Sequence, residues 1–339
     1  MLIVVEPVEA SDHDDPGHPE RPARIGAAMR GVDDLHLGSD LVVVPALPAP
    51  VASLARVHTP GHLDRLERFC AAGGGDLDPD TYARTASWDH ARLAAGSGLV
   101  AVEAASAHGA PVFVPARPPG HHAVADRAMG FCLINNVAVT AAALTAAGER
   151  VLIVDWDVHH GNGTQDLFWD DPDVLYVSTH QWPAYPGTGR ADEVGGPSAR
   201  GGTLNVPLPA GATGDVVRRA FDAMVSPVVE AFAPTWVLVS AGFDAHRGDP
   251  LADLALSAGD FADLAGLVAG YAPAPGRLIL FLEGGYDLEA LQASVAATLG
   301  RLVGVGPTGV DEAPTSGGPG AEQVDAAAAR RRASLDVAP

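Results

Sequence analysis

Lysine is absent from this sequence. All 21 basic residues are arginines, set against 42 acidic ones, for a formal charge of −21 over 339 residues. The absence excludes every mechanism that needs a side-chain amine at the reacting centre, including Schiff-base chemistry, pyridoxal-phosphate enzymes and Walker A nucleotide binding. Cysteine is nearly absent as well. Cys70 and Cys132 are too few for a disulfide framework or a thiolate zinc site, so both thiols are expected to be reduced. No apolar run reaches the roughly 18 residues of a membrane span, and the opening MLIVVEPVEASDHDD lacks the basic start and long apolar stretch of a signal peptide. The expectation is a cytoplasmic protein without membrane association. The scarcity of positive charge argues against direct nucleic-acid binding, which needs a basic surface to neutralise phosphates. The acidic surplus has two readings, attraction of basic or neutral ligands and simple solubility. A homo-oligomer is compatible with the composition.

What the chain does have is apolar residues (47%) in short runs. LIVVE, LVVVPA, PVFVPA, VLIVDWD, VLYVSTH, TLNVPLP, WVLVSAGFD and RLILFLEGGY are β-branched and strand-like, and they alternate with Ala/Leu-rich stretches. This pattern predicts an α/β fold, a single-domain open parallel sheet with helices on both faces. Residues 135–148, 214–232, 261–271 and 288–303 read as covering helices. One domain over residues 1–304 accounts for the pattern. The remainder, 305–339, reads as a flexible Gly/Pro-rich linker followed by a C-terminal helix, with Arg330, Arg331 and Arg332 at a solvated helix end.

In open parallel sheets ligands bind beyond the carboxyl ends of the strands, and here those ends carry RPPGHH, DWDVHHGNG, STH, AGFD and EGGY. Asp157 and His159 are two apart as the chain leaves a strand, so period-two geometry sends both side chains the same way, and Asp244 can add a third ligand. Such a set leaves a coordination position for water, as in catalytic zinc sites. Its carboxylate-rich character keeps Fe2+, Mn2+ and Co2+ open. The alternative is that Asp157 and His159 only cap the following turn. His121 and His122 sit in a turn fixed by two prolines and a glycine, and imidazoles there can divide acid and base work. Asp155 can orient a histidine by accepting its ring N–H, or bond the turn backbone. Tyr286 follows two glycines, which allow an unusual backbone path, and its phenol can donate to an oxyanion or simply pack in a core.

The motifs HPERPARI (18–25), RPPGHHA (117–123), MGFCLINNVAV (129–139), DWDVHHGNGTQ (155–165), AGFDAHRGDPL (241–251) and LEGGYDL (282–288) together resemble the histone deacetylase superfamily, whose arginase-like fold carries zinc amidohydrolases. The resemblance implies zinc ligation by Asp157, His159 and Asp244. It implies general acid–base work by His122, an electrostatic partner in His121 held by Asp155, and carbonyl polarisation by Tyr286. It further implies a substrate tunnel walled by Gly130, Phe131 and Tyr185, and an internal channel lined by Arg24. A monovalent cation, K+ or Na+, is implied beside Asp155, Asp157, His159, Ser178 and Thr179, with Phe168 at a second such site. Asn162, where class I deacetylases carry Asp, points to the class II and bacterial branch. Leu251 stands where the polyamine-selective class II member places Glu. The rim aspartate that grips the substrate backbone is Asp78 or Asp80.

The function expected from the resemblance is hydrolysis of acetyl-lysine amides in a peptide or protein. An acetylpolyamine or other small-amide amidohydrolase is the alternative, and a non-catalytic acyl-ligand sensor is a third reading that retention of every motif residue disfavours. An arginase-type ureohydrolase would need further metal ligands, which the sequence does not supply.

Overall fold

A computed structural model describes every residue except 9, 307, 308, 310, 311 and 337–339. Ten strands form among the described residues: β1 (Leu2–Val5), β2 (Leu41–Val44), β3 (Gly74–Asp76), β4 (Tyr82–Arg84), β5 (Val112–Val114), β6 (Val151–Asp155), β7 (Val174–Gln181), β8 (Thr203–Leu208), β9 (Trp236–Ala241) and β10 (Leu278–Leu282). Eight of them make one sheet in the order β2-β1-β5-β10-β9-β6-β7-β8, every pairing parallel. These eight are the eight runs read from the sequence. β3 and β4 form a separate antiparallel hairpin.

The alternation of side chains along each strand divides the core in two. On β6, Leu152 and Val154 face one layer, with Ile25, Phe261 and Leu291 from the helices Ala23–Asp33, Ala258–Ala269 and Leu288–Val303. Val151 and Ile153 face the other, with Ala94 and Val137 from the helices Ser87–His108 and Asn136–Thr145. Strands covered on both faces need no polar side, which is why β6, β9 and β10 are buried throughout. The helix read over 214–232 is interrupted by a π turn at Phe221–Val225, just before Pro227, which lacks an N–H to donate. Among the described residues no helix is long and apolar enough to cross a membrane.

Crossing from β5 to β6 skips two places in the sheet, which β9 and β10 fill. That reversal of strand order leaves a crevice beyond the carboxyl ends of these four strands.

The two edges of the sheet differ. The helix Ala321–Asp336 lies along β8, and its Arg331 guanidinium donates to the carbonyls of Thr203 and Gly201. β2 is uncovered, with the Val43 side chain exposed. The Gly/Pro-rich segment read as a linker has contacts of its own. The described residues from 312 to 318 are bonded to the body: Thr315 N–H and Oγ1–H donate to Asp260, Gly317 N–H to Asp215 and Gly318 N–H to the Thr213 hydroxyl. Composition signals weak burial, but here backbone hydrogen bonds fix the segment, and these leave no compositional trace. Residues 307, 308, 310, 311 and 337–339 of the expected linker and terminal helix lie outside the described residues.

Candidate active site

Five loops meet at the crevice. The loop after β6 supplies Asp157 and His159, and the loop after β9 supplies Asp244. One ligand atom from each of these three lies within 4.8 Å of the others. His159 Nδ1 is 3.2 Å from Asp157 Oδ1 and 3.2 Å from Asp244 Oδ2. Backbone amides hold the carboxylates in place: Gly284 N–H donates to Asp157 Oδ2 at 2.8 Å and Val158 N–H to Asp244 Oδ1 at 2.9 Å.

This close approach depends on glycine. A Cβ on Gly242 would come 2.1 Å from Asp157 Oδ2, and one on Gly284 2.1 Å from Asp244 Oδ2. Burial, together with the Asp157 charge beside it, pushes Asp244 up to about 7. Burial would lower His159, but Asp157 and Asp244 carry it up to about 10. Two buried carboxylates and one imidazole thus favour positive charge at their centre, and the three residues fit a divalent cation as hard oxygen and borderline nitrogen donors.

RPPGHH places the two histidines side by side, ring centroids 3.9 Å apart. They are held differently. His121 Nδ1–H donates to Asp155 Oδ2 at 3.0 Å, and Tyr176 Oη–H donates to the same oxygen at 3.1 Å. His122 Nδ1 lies 2.9 Å from Asn162 Oδ1, while the Asn162 amide donates to the His122 carbonyl and the Met129 sulfur. The Asn162 oxygen accepts, so His122 Nδ1 carries the proton and Nε2 is left as an acceptor. Burial would lower His121, yet Asp155 and Asp157 carry it up to about 10. Burial, then His121 and His159, push His122 well down. Neighbouring charges thus drive the two imidazoles in opposite directions.

Tyr286 comes from the loop after β10. Its N–H donates to Asp249 Oδ2 at 2.6 Å, and the Arg24 guanidinium lies 4.9 Å over its ring. Arg24 in turn donates to the Gly285 and Glu283 carbonyls and to Glu20 Oε1. No hydrogen bond to the phenol oxygen is present among the described residues, so that oxygen is left for a ligand.

A cavity of about 210 Å3 is lined by Asp80, Pro119, His121, His122, Gly130, Phe131, His159, Tyr185, Leu251, Gly284 and Tyr286. Phe131 meets Tyr286 edge-on at 5.9 Å and Tyr185 meets His122 edge-on at 5.1 Å. Gly130, at φ +57°, lets the wall touch His122, where a Cβ would come within 2.5 Å of the ring.

The structure also sorts the remaining candidates. Asp80 lines the mouth, whereas Asp78 accepts the Asp80 N–H at 3.0 Å. Ser178 stands opposite Asp155 in the β6–β7 register, next to Thr179, and its hydroxyl is 2.9 Å from His180 Nδ1. Phe168 lies behind these residues, its ring in the core layer with Ile153 and Tyr176. His160 turns away from the centre to Thr188 and Gln165.

Three supporting residues were not assigned a role from sequence. Glu283 accepts from Gly120 N–H (2.7 Å), His121 N–H (3.2 Å) and the Ser240 hydroxyl (3.2 Å) beneath the histidine pair, and burial pushes it up to about 7. Its position at a strand end was a usable signal. Tyr176 and Asp249 gave none, because a core tyrosine and a loop aspartate are common.

A sequence profile of the histone deacetylase domain matches residues 18–302. The chain belongs to the histone deacetylase family. It is similar to histone deacetylase 10, chloroplastic, of Oryza sativa subsp. japonica, 40% identical over 318 residues that cover 87% of this chain and 72% of that protein. It is also similar to the histone deacetylase-like amidohydrolase of Pseudomonas aeruginosa, 38% identical over 295 residues covering 85% of this chain and 78% of that one. The crystal structure of the HDA15 HD domain superposes with a TM-score of 0.87 at 34% identity, covering 99% of this chain and 96% of that one. The fold is therefore the histone deacetylase fold, and the chain is a deacetylase-family hydrolase acting on amides.

Proposed function

We propose that this hydrolase removes acetyl groups from the side chains of acetyl-lysine residues in peptides or proteins, with Zn2+ held by Asp157, His159 and Asp244. The observation that carries the reading is the narrow cavity. Phe131, Tyr185 and Leu251 frame an apolar entrance, and its floor presents the His122 imidazole, the free Tyr286 phenol and His159, with Asp157 and Asp244 buried against that imidazole. Such a passage suits the tetramethylene stem of lysine.

When bound, the ion would supply Lewis-acid polarisation of the acetyl carbonyl and a lowered pKa for water. The chain's own residues do the rest. His122 Nε2 takes a proton from the attacking water as its oxygen bonds the acetyl carbon. Tyr286 Oη–H donates to the carbonyl oxygen as negative charge develops there. As the C–N bond breaks, His122 returns a proton to the departing amine, so acetate and a free amine leave. His121, whose pKa Asp155 and Asp157 raise, is the electrostatic partner that stabilises negative charge as it develops. Fe2+, Mn2+ or Co2+ would fit the same donors.

A monovalent cation, K+ or Na+, is proposed at Asp155, Asp157, His159, Ser178 and Thr179, with Phe168 at a second such position. Residues 1–304 are proposed as the catalytic unit, followed by the segment 305–339.

Acetylpolyamines are the competing substrates, since Asp80 at the mouth and the acidic surface suit either kind of cation. Turnover of an acetyl-lysine peptide and of acetylspermidine by zinc-reconstituted protein, at equal concentration, tests the proposal. A preference for the peptide is expected, and a strong preference for acetylspermidine would overturn it.

A further inference from the structure

The histone deacetylase match ends at residue 302, yet ten residues later Glu312 binds the loop that follows Asp244. Glu312 Oε2 is 2.9 Å from His246 Nε2 and accepts the Ala258 N–H at 2.9 Å, while Oε1 accepts from Arg247 at 3.0 Å. Glu312 and Ala313 are fitted closely against the start of the helix Ala258–Ala269. A Cβ on Gly259 would come 2.3 Å from the Glu312 carbonyl, and the Ser257 hydroxyl donates to the next carbonyl, that of Ala313, at 2.8 Å.

His246 lies in the loop that carries Asp244, Asp249 and Leu251, and it is almost fully buried. Its two ring nitrogens have fixed roles. Nδ1 accepts the Gly248 N–H at 3.0 Å, so Nε2 carries the proton and donates to Glu312. The turn continues with Asp249 N–H donating to the His246 carbonyl at 2.9 Å. The Asp249 carboxylate then distributes the loop's hold on the site. Oδ2 accepts from Tyr286 N–H at 2.6 Å and Asp287 N–H at 3.2 Å, and Oδ1 accepts from Leu251 N–H at 3.0 Å. An unbroken path thus runs from Glu312 through His246 and Asp249 to the backbone of Tyr286 and to the cavity wall at Leu251.

We propose that Glu312 is a positioning residue for the deacetylation reaction, fixing the 244–251 loop through His246 so that Asp249 holds Tyr286 and Leu251 in register with the acetyl group. The proposal rests on the role given above to Tyr286. A carboxylate at this place could instead serve only to cap the helix Ala258–Ala269, whose first N–H, that of Ala258, it accepts. The two roles differ in what they affect. Capping contributes stability alone, whereas positioning also governs the order of the amides that Asp249 binds and the rate of the chemical step.

The test compares Glu312→Ala and the milder Glu312→Gln with Arg331→Leu, which loosens the C-terminal helix from β8 without touching the Glu312 contacts. All are full-length, zinc-reconstituted chains held well below their unfolding midpoints. Amide hydrogen exchange is followed at Leu251, Tyr286 and Asp287, and kcat and KM are measured on an acetyl-lysine peptide. For Glu312→Ala, exchange at the three amides should rise about tenfold and kcat fall about tenfold with KM little changed, the scale of one lost charge-assisted hydrogen bond. Glu312→Gln should show the same pattern at smaller amplitude and supplies the answer if the alanine variant does not fold. Arg331→Leu should show neither change at those positions. If Glu312 variants melt earlier but keep wild-type exchange at the three amides, the residue is a helix cap and the proposal fails. Should the wild-type chain turn over no acetyl-lysine peptide, the substrate assignment fails instead, and exchange still decides the role of Glu312.

Discussion

Removing one oxygen atom gives the sharpest separation between catalysis and stability in this site. Tyr286→Phe deletes a phenol oxygen that makes no hydrogen bond to any described residue. The ring contacts, with Phe131 edge-on at 5.9 Å and the Arg24 guanidinium at 4.9 Å, are available to phenylalanine as well. Folding should therefore change by no more than about 0.5 kcal/mol, which in a chain of this length displaces the melting midpoint by roughly 1 °C. The ligand carboxylates are held by the amides of Gly284 and Val158, which the substitution leaves alone, so zinc content should remain at the wild-type value. Catalysis should respond very differently. Loss of a single oxyanion donor costs about 10²–10³ in kcat, or about 2.7–4 kcal/mol of transition-state stabilisation. The assay is steady-state hydrolysis of an acetyl-lysine peptide, with melting curves and metal analysis on the same preparation. A variant with kcat within about threefold of wild type would remove the phenol from the mechanism.

Other consequences follow from the packing around this residue. Gly130→Ala places a methyl group 2.5 Å from the His122 ring at a φ of +57°, so activity should fall at least about tenfold, and a fully active variant in the same assay would contradict the close wall. Leu251→Glu adds a carboxylate at the entrance and should raise kcat/KM for acetylspermidine relative to an acetyl-lysine peptide, which a competition assay reads directly. Glu20 is fully buried; burial would raise its pKa, but Arg117 and then Arg24 hold it down at about 2. Its contribution, on the order of 3 kcal/mol, is complete above the ordinary carboxyl range near 4.5 and is lost as pH falls through about 2. Denaturant midpoints should accordingly drop between pH 5 and pH 2 (about the range set by those two values). Glu20→Gln should cost about 3–5 kcal/mol at neutral pH by leaving two buried guanidinium groups undercompensated, measured by the same unfolding curves.

How much of this was legible in the sequence depended on whether the signal was local. The eight sheet strands announced themselves as short apolar runs rich in β-branched residues, continuous where the strand is buried on both faces, as in β6, β9 and β10. The β3–β4 hairpin, with Gly74 and Gly75 in three-residue strands, carries no such run. It nevertheless delivers Asp80 to the cavity mouth. The long helix Ser87–His108 was also silent. It is rich in Ala, Gly and Ser, with buried residues on more than one side, so the apolar stripe of a surface helix is missing. Asp157, His159 and Asp244 could be proposed from spacing and strand ends, and the structure places them together. The supports beneath them could not. Asp249 reaches Tyr286 across 37 positions and Glu283 reaches Gly120 across 163, distances over which only the sheet topology brings residues together.

The unequal edges of the sheet set a limit on how this molecule can associate through its strands. Addition of a strand requires a row of free backbone groups, and on the β8 side the C-terminal helix and Arg331 occupy that row. On the β2 side of this sheet, among the described residues, no strand or helix lies along the outer edge. A body with one open edge can join a second copy edge to edge and then has none left, whereas a fibril needs two open edges on every member. Growth through the edges of the eight-stranded sheet therefore terminates at a pair, and loss of the helix along β8 would turn a closed association into one that can propagate.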